Sequence, residues 1–173
     1  ALIVGLGDPS ARQVATIAVA MPAVLAALTV VAVYFVGKRV SGSRVGGVTA
    51  AAVLALLPQS SWVVRTTAGF YDHHAAESLT MTIAVFGMIY ALATVRRERP
   101  VYEQLKDRDW DGLRPSIKAS GIAGLTLAIY LLTWPSGIVL PGIFGTFFVV
   151  AMVALVLRDR SPEHVGFAGA LSM

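Results

Sequence analysis

Long apolar runs alternate with short polar ones along the whole chain. An α-helix needs about 20 apolar residues to cross about 30 Å of hydrocarbon. Five runs reach or approach that length, at about 12–36, 45–64, 75–95, 117–133 and 138–157, and another opens at Val165. The pattern predicts an all-α, polytopic transmembrane helix bundle, with residues 1–173 forming one partial transmembrane domain. Asp8, followed by Pro9, is a candidate cap for the first helix, and Pro22 a candidate kink within it. Lys38, Arg39 and Arg44 bracket a Gly/Ser turn. The second run is rich in Ala and Gly, which favours close helix packing, and Pro58 and Gln59 should disturb its last turns. Residues 101–118 are the one extended hydrophilic stretch, predicting a loop with a short surface helix at about 101–108 and Trp110 at the headgroup level. Trp134-Pro135-Ser136-Gly137 breaks the fourth run from the fifth and predicts a tight helical hairpin. The chain opens in an apolar Ala-Leu-Ile-Val and stops at Met173 soon after a new apolar run begins, so both ends are expected to be cut from something longer.

Composition agrees with a membrane protein. Hydrophobic residues make up 56% of the 173 and charged residues only 14%, with a mean hydropathy of +0.72; soluble domains carry roughly 25% charged residues. With no cysteine, disulfides, thiolate catalysis and thiolate metal ligands are excluded. The net charge of +4 does not imply a nucleic-acid partner, because the basic residues fall in clusters between apolar runs rather than in one stripe. The segments 38–44, 96–118 and 158–164 hold 12 of the 14 Lys and Arg, and alternation puts all three on one side. By the positive-inside rule that side is cytoplasmic. The connections near residue 72 and residue 134 then face outward together; the inner basic loop is placed to touch anionic lipid, although orientation alone explains its charge.

Chemistry is concentrated in Arg65-Thr-Thr-Ala-Gly-Phe-Tyr-Asp-His-His-Ala-Ala-Glu77. Asp72, His73, His74 and Glu77 are oxygen and imidazole donors suited to a divalent metal. Ionisable groups at that density between two hydrophobic spans read as a functional site. Asp72 and His74, spaced i and i+2, can turn toward one ion where the backbone is extended ahead of a helix. Asp72 is equally placed to cap that helix. His73 and His74 should diverge by roughly 100° if both are helical. Glu77 shares their helix face and is better placed to orient an imidazole by accepting its far N–H than to ligate directly. Arg65 is either a snorkelling arginine or a cation for an anionic phosphate. Trp62, Phe70, Tyr71 and Trp134 read as interfacial anchors, and His164 as a solvated loop histidine. A divalent-metal transporter lined by His73 and Glu77 is a competing class, although transporter sites sit near the midplane at broken helices. A structural subunit with Asp72 as a cap is another.

The same stretch, with Asp72-x-His74 after the Arg65-Thr-x-x-Gly69 lead-in, closely resembles the archaeal oligosaccharyltransferases of the AglB/STT3 family. The Pro22-Ala-Val-Leu-Ala-Ala-Leu helix, the exit from Tyr34 to Lys38, Pro58 ahead of the arginine, and the Thr133-Trp134-Pro-Ser-Gly137 turn extend the resemblance along the chain. It implies a multi-span membrane glycosyltransferase domain of the GT-C type. The implied reaction moves a glycan from a dolichol phosphate or pyrophosphate carrier to the Asn amide of Asn-x-Ser/Thr acceptors. It also implies catalytic and metal-binding roles for Asp72 and His74, with Mn²⁺ or Mg²⁺ neutralising the departing phosphate. Arg65 is the substrate-binding candidate, and His73 and Glu77 the supporting ones. The resemblance implies a multi-pass protein of the cell membrane with the active-site loop on the extracellular side. Asp8-Pro9 lies too close to the first helix to be the family's first acidic motif, so the fragment is expected to be inactive alone.

Overall fold

The computed structural model describes residues 10–56, 61–70, 72–95 and 99–173, and among them the regular structure is all helical. Among the described residues, four helical segments are long and apolar enough to cross a membrane: Ala11–Ser41, His74–Thr94, Trp110–Thr133 and Pro135–Val156. At 1.5 Å per residue they are each about 30 Å long or more. Residues Ala1–Thr82 and Ile83–Met173 form two compact units, and the second of those helices runs through the division.

In the first unit, α1 spans Ala11–Ser41 and α2 Arg44–Leu56. Asp8 and Pro9 lie outside the described residues, and the cap of α1 is Ser10 instead. Its hydroxyl accepts from the Gln13 amide at 3.3 Å while the Gln13 side chain accepts from the Ser10 amide at 2.8 Å. That reciprocal box satisfies two first-turn donors. Pro22 lies buried inside α1, which continues through it. Lys38 and Arg39 complement the negative end of the helix dipole, and Gly42 closes the helix in the left-handed conformation. The Ser43 hydroxyl then accepts from the Val45 amide at 3.1 Å to start α2. α1 and α2 pack as an antiparallel hairpin through small residues, as the second run's composition suggests. At 13 residues, about 20 Å, α2 alone is too short to span. The run expected over 45–64 comprises α2 and the five-residue α3, Ser61–Arg65. The expected disturbance at Pro58 and Gln59 lies outside the described residues.

The membrane-length helix from His74 to Thr94 is α4, and the short surface helix α5 covers Val101–Lys106. The loop after it is held by Arg99, which pairs with Asp107 at 2.7 Å and Asp109 at 3.5 Å. α6 runs from Trp110 to Thr133, seven residues ahead of the expected start. Hydropathy misses these turns because they are polar, but Asp109 accepts from the Gly112 amide at 3.0 Å and nucleates them. Trp110 is 58% exposed. A 3₁₀ turn at Pro135–Ile138 leads into α7, Val139–Val156, so the connection is as short as expected, while α6 and α7 meet chiefly through that turn and through α8 rather than as a packed hairpin. α8, Glu163–Ser172, begins the next apolar segment and packs on α6. The core of this unit gathers Met88, Leu127, Tyr130, Phe144, Phe148 and Val165. His164 is not the solvated loop histidine expected: it is 7% exposed in the first turn of α8. The Glu163 carboxylate beside it accepts from the Tyr102 amide at 3.2 Å, tying α8 to α5 and covering the turn.

Candidate metal centre

The site forms where the chain leaves α3 and enters α4. Thr66 and Thr67 continue the turn, their backbone N–H groups donating hydrogen bonds to the Trp62 and Val64 carbonyls. Phe70 N–H then bonds Thr67 C=O at 3.0 Å around Gly69, whose φ is +88°. Positive φ at the third position marks a type II turn and calls for glycine. The Gly69 amide donates to the Val19 carbonyl at 2.9 Å, tethering the loop to α1. Nothing in the sequence reading anticipated that tether; the signal was the Ala-Gly pair in the motif. Tyr71 lies outside the described residues, and Phe70 is exposed.

Asp72 divides its carboxylate between the two histidines. Oδ1 accepts from the His73 amide at 2.7 Å and faces His73 Nδ1 at 2.7 Å. Oδ2 lies 3.4 Å from His74 Nε2. The helix-cap reading of Asp72 predicted a bond to a first-turn amide of α4; the amide described on its carboxylate belongs to His73, one residue ahead of the helix. The imidazoles do not diverge as two helical neighbours would. Their ring centroids are 4.2 Å apart and tilted by 34°, because His73 precedes the helix and only His74 belongs to it.

Hydrogen-bond partners assign the His74 tautomer. On one side Nδ1 faces Glu77 Oε2 at 3.0 Å. On the other, Nε2 is hydrogen-bonded to the Arg65 guanidinium. A guanidinium only donates, so Nε2 carries the lone pair and Nδ1 carries the hydrogen that Glu77 accepts. A carboxylate acceptor behind the distal N–H is the usual arrangement behind a metal-ligating histidine. Two electron-pair donors, Asp72 Oδ2 and His74 Nε2, therefore converge.

The donor set fits a divalent cation. Metal–ligand bonds of about 2.0–2.2 Å place adjacent ligand atoms about 3 Å apart, close to the 3.4 Å between Oδ2 and Nε2. Asp72, His73 and His74 each offer a ligand atom within 4.8 Å of the others. The charge environment agrees. Partial desolvation raises the Asp72 carboxyl, but the His73 amide hydrogen bond, the attraction of His74 and His73 when those rings are protonated, and the Arg65 charge outweigh it and hold it below the ordinary carboxylate value. The side chain is 26% exposed, so these charges act through partly screened space.

The helices and the cluster define a multi-span membrane protein with a candidate metal centre ahead of a membrane-length helix. The chain belongs to the family described as oligosaccharyl transferase STT3, N-terminal, which it matches over residues 7–169. It is 47% identical over all 173 residues to the dolichyl-monophosphooligosaccharide–protein glycotransferase AglB of Haloferax volcanii, covering 16% of that protein. It is 29% identical over 147 residues, 81% of the chain, to dolichyl-phosphooligosaccharide-protein glycotransferase 3 of Archaeoglobus fulgidus, covering 15% of it. The chain thus spans about one sixth of the length of these relatives. No solved structure matches it.

Proposed function

We propose that residues 1–173 are part of the membrane domain of an archaeal oligosaccharyltransferase. The enzyme transfers a glycan from a dolichol-phosphate-type carrier to the Asn amide of Asn-x-Ser/Thr acceptors. The names of both relatives support the carrier class, and the Haloferax name supports a monophosphate. The convergence of Asp72 Oδ2 and His74 Nε2 inside the family match carries the reading. Those two residues would hold Mn²⁺ or Mg²⁺, which supplies a Lewis acid for the departing phosphate. Glu77 fixes the His74 ring, His73 fixes the Asp72 carboxylate, and Arg65 stands beside both as a cation for a phosphate oxygen. The basic-residue count supports five spans with a sixth beginning at α8, and a site on the external face. Family membership favours transfer over metal transport.

The test uses the full-length protein with Asp72→Ala and His74→Ala, a dolichol-phosphate-linked glycan and an Asn-x-Thr peptide. Each variant should lose glycan transfer by at least about 100-fold, the scale of losing a group that stabilises transition-state charge. Transfer retained in both variants would remove the metal-ligand reading.

A further inference from the structure

The His74 Nε2 lone pair has two claimants. In the structure it accepts from the Arg65 guanidinium, and it is also the atom that converges with Asp72 Oδ2 on a divalent ion. One sp² nitrogen has one lone pair, so the two uses exclude each other. Arg65 reaches it because α3 ends at Arg65 and the tethered Gly69 turn folds the chain back, bringing residues nine apart together. The guanidinium also lies near enough to Asp72 to help lower that carboxyl. Its charge complements that of Asp72, as an ion's would.

We propose that Arg65 is the competing cation of this centre: a divalent ion binds His74 Nε2 only by displacing the guanidinium. The inference rests on the metal-ligand reading above. It makes Arg65 a positioning residue that holds His74 in the ligating tautomer and sets how tightly the ion binds.

The test measures Mn²⁺ affinity of the full-length protein in detergent, counting free ion by electron paramagnetic resonance. Arg65→Gln should tighten binding about tenfold, the size of one charge-assisted hydrogen bond. In a His74→Ala background the same substitution should tighten it at most about threefold, because the contested lone pair is gone. Unchanged or weaker binding in Arg65→Gln overturns the proposal. So does equal tightening in both backgrounds, which would make Arg65 a diffuse positive charge. If Arg65→Gln does not fold, Arg65→Lys serves, since an ammonium is a compact, strongly hydrated cation without the planar fork. It should tighten binding about threefold, and no tightening overturns the proposal. A wild-type protein that binds Mn²⁺ no better than Asp72→Ala defeats the metal-ligand reading itself, a result separable from the others.

Discussion

Glu77 offers a graded test of how the centre is held. Its Oε2 is 3.0 Å from His74 Nδ1, which is a hydrogen-bond separation. It therefore acts on a bound ion through the imidazole, and removing it should cost less than removing a ligand. Losing such an outer partner costs about 10–100-fold in metal affinity, or about 1.4–2.8 kcal/mol. The two side chains are 29% and 17% exposed, so solvent screens part of the interaction and the lower half of that range applies. Glu77→Gln keeps the length and an acceptor oxygen but removes the charge, so a loss of about 3–10-fold is expected. Glu77→Ala removes the acceptor as well and should lose about 10–30-fold. Asp72→Ala should exceed both. Mn²⁺ titration of the full-length variants gives this order directly. Glu77→Ala within twofold of wild type would refute the orienting role, and a loss equal to that of Asp72→Ala would make Glu77 a direct ligand.

The α1–α2 hairpin and the loop give further expectations. A Cβ on Gly47 would lie 2.8 Å from the Tyr34 carbonyl oxygen and 2.9 Å from its ring, whereas one on Gly121 meets nothing within 4 Å. Both gain about 1 kcal/mol of helix propensity on changing to Ala, but only Gly47→Ala carries about 1–3 kcal/mol of overpacking. Thermostability by fluorescence-detected size exclusion should fall for Gly47→Ala and hold or rise for Gly121→Ala; equal shifts would contradict the packing. Gly69→Ala forces a side chain into φ +88° at about 1–3 kcal/mol, so thermostability in the same assay should fall although no ligand changes. The Asp72 carboxyl is lowered in the folded protein, so its stabilising contribution is complete above its unfolded value and lost only as pH falls through the folded one. The thermostability gap between wild type and Asp72→Asn should therefore close as pH falls below about 4; a gap unchanged from about pH 6 down to about pH 3 would refute this.

Apolar run length is a local property, and that is why the four membrane-length helices of the described residues and the short Trp134 connection were readable from the sequence. Helix starts are less so. Asp8-Pro9 looked like the first cap, yet the described cap is Ser10, because Gln13 three residues on completes the box. α6 begins at Trp110 in polar turns that a hydropathy pattern assigns to a loop. His164 is buried by α8 packing, which no pattern around residue 164 encodes. At the centre, the i, i+2 spacing of Asp72 and His74 was enough to place two donors together. The bond from Arg65 to His74 was not legible, since it depends on a backbone turn at Gly69 and its tether to Val19.

Every side chain of the centre comes from the single stretch 65–77, and that bears on how much metal affinity it can supply. Asp72 Oδ1 is engaged by His73, and His74 Nδ1 by Glu77, so one oxygen and one nitrogen point at the shared position. Mn²⁺ and Mg²⁺ favour six oxygen-rich ligands, and even a tetrahedral ion takes four. Two ligand atoms from this stretch leave at least two positions for water, substrate oxygens or other donors. A structural site would close those positions; a Lewis-acid site keeps them open for the group it must polarise. Weak local ligation is therefore consistent with the proposed transfer chemistry. It also means that one guanidinium hydrogen bond is large enough, on the scale of the ion's own binding, for Arg65 to matter.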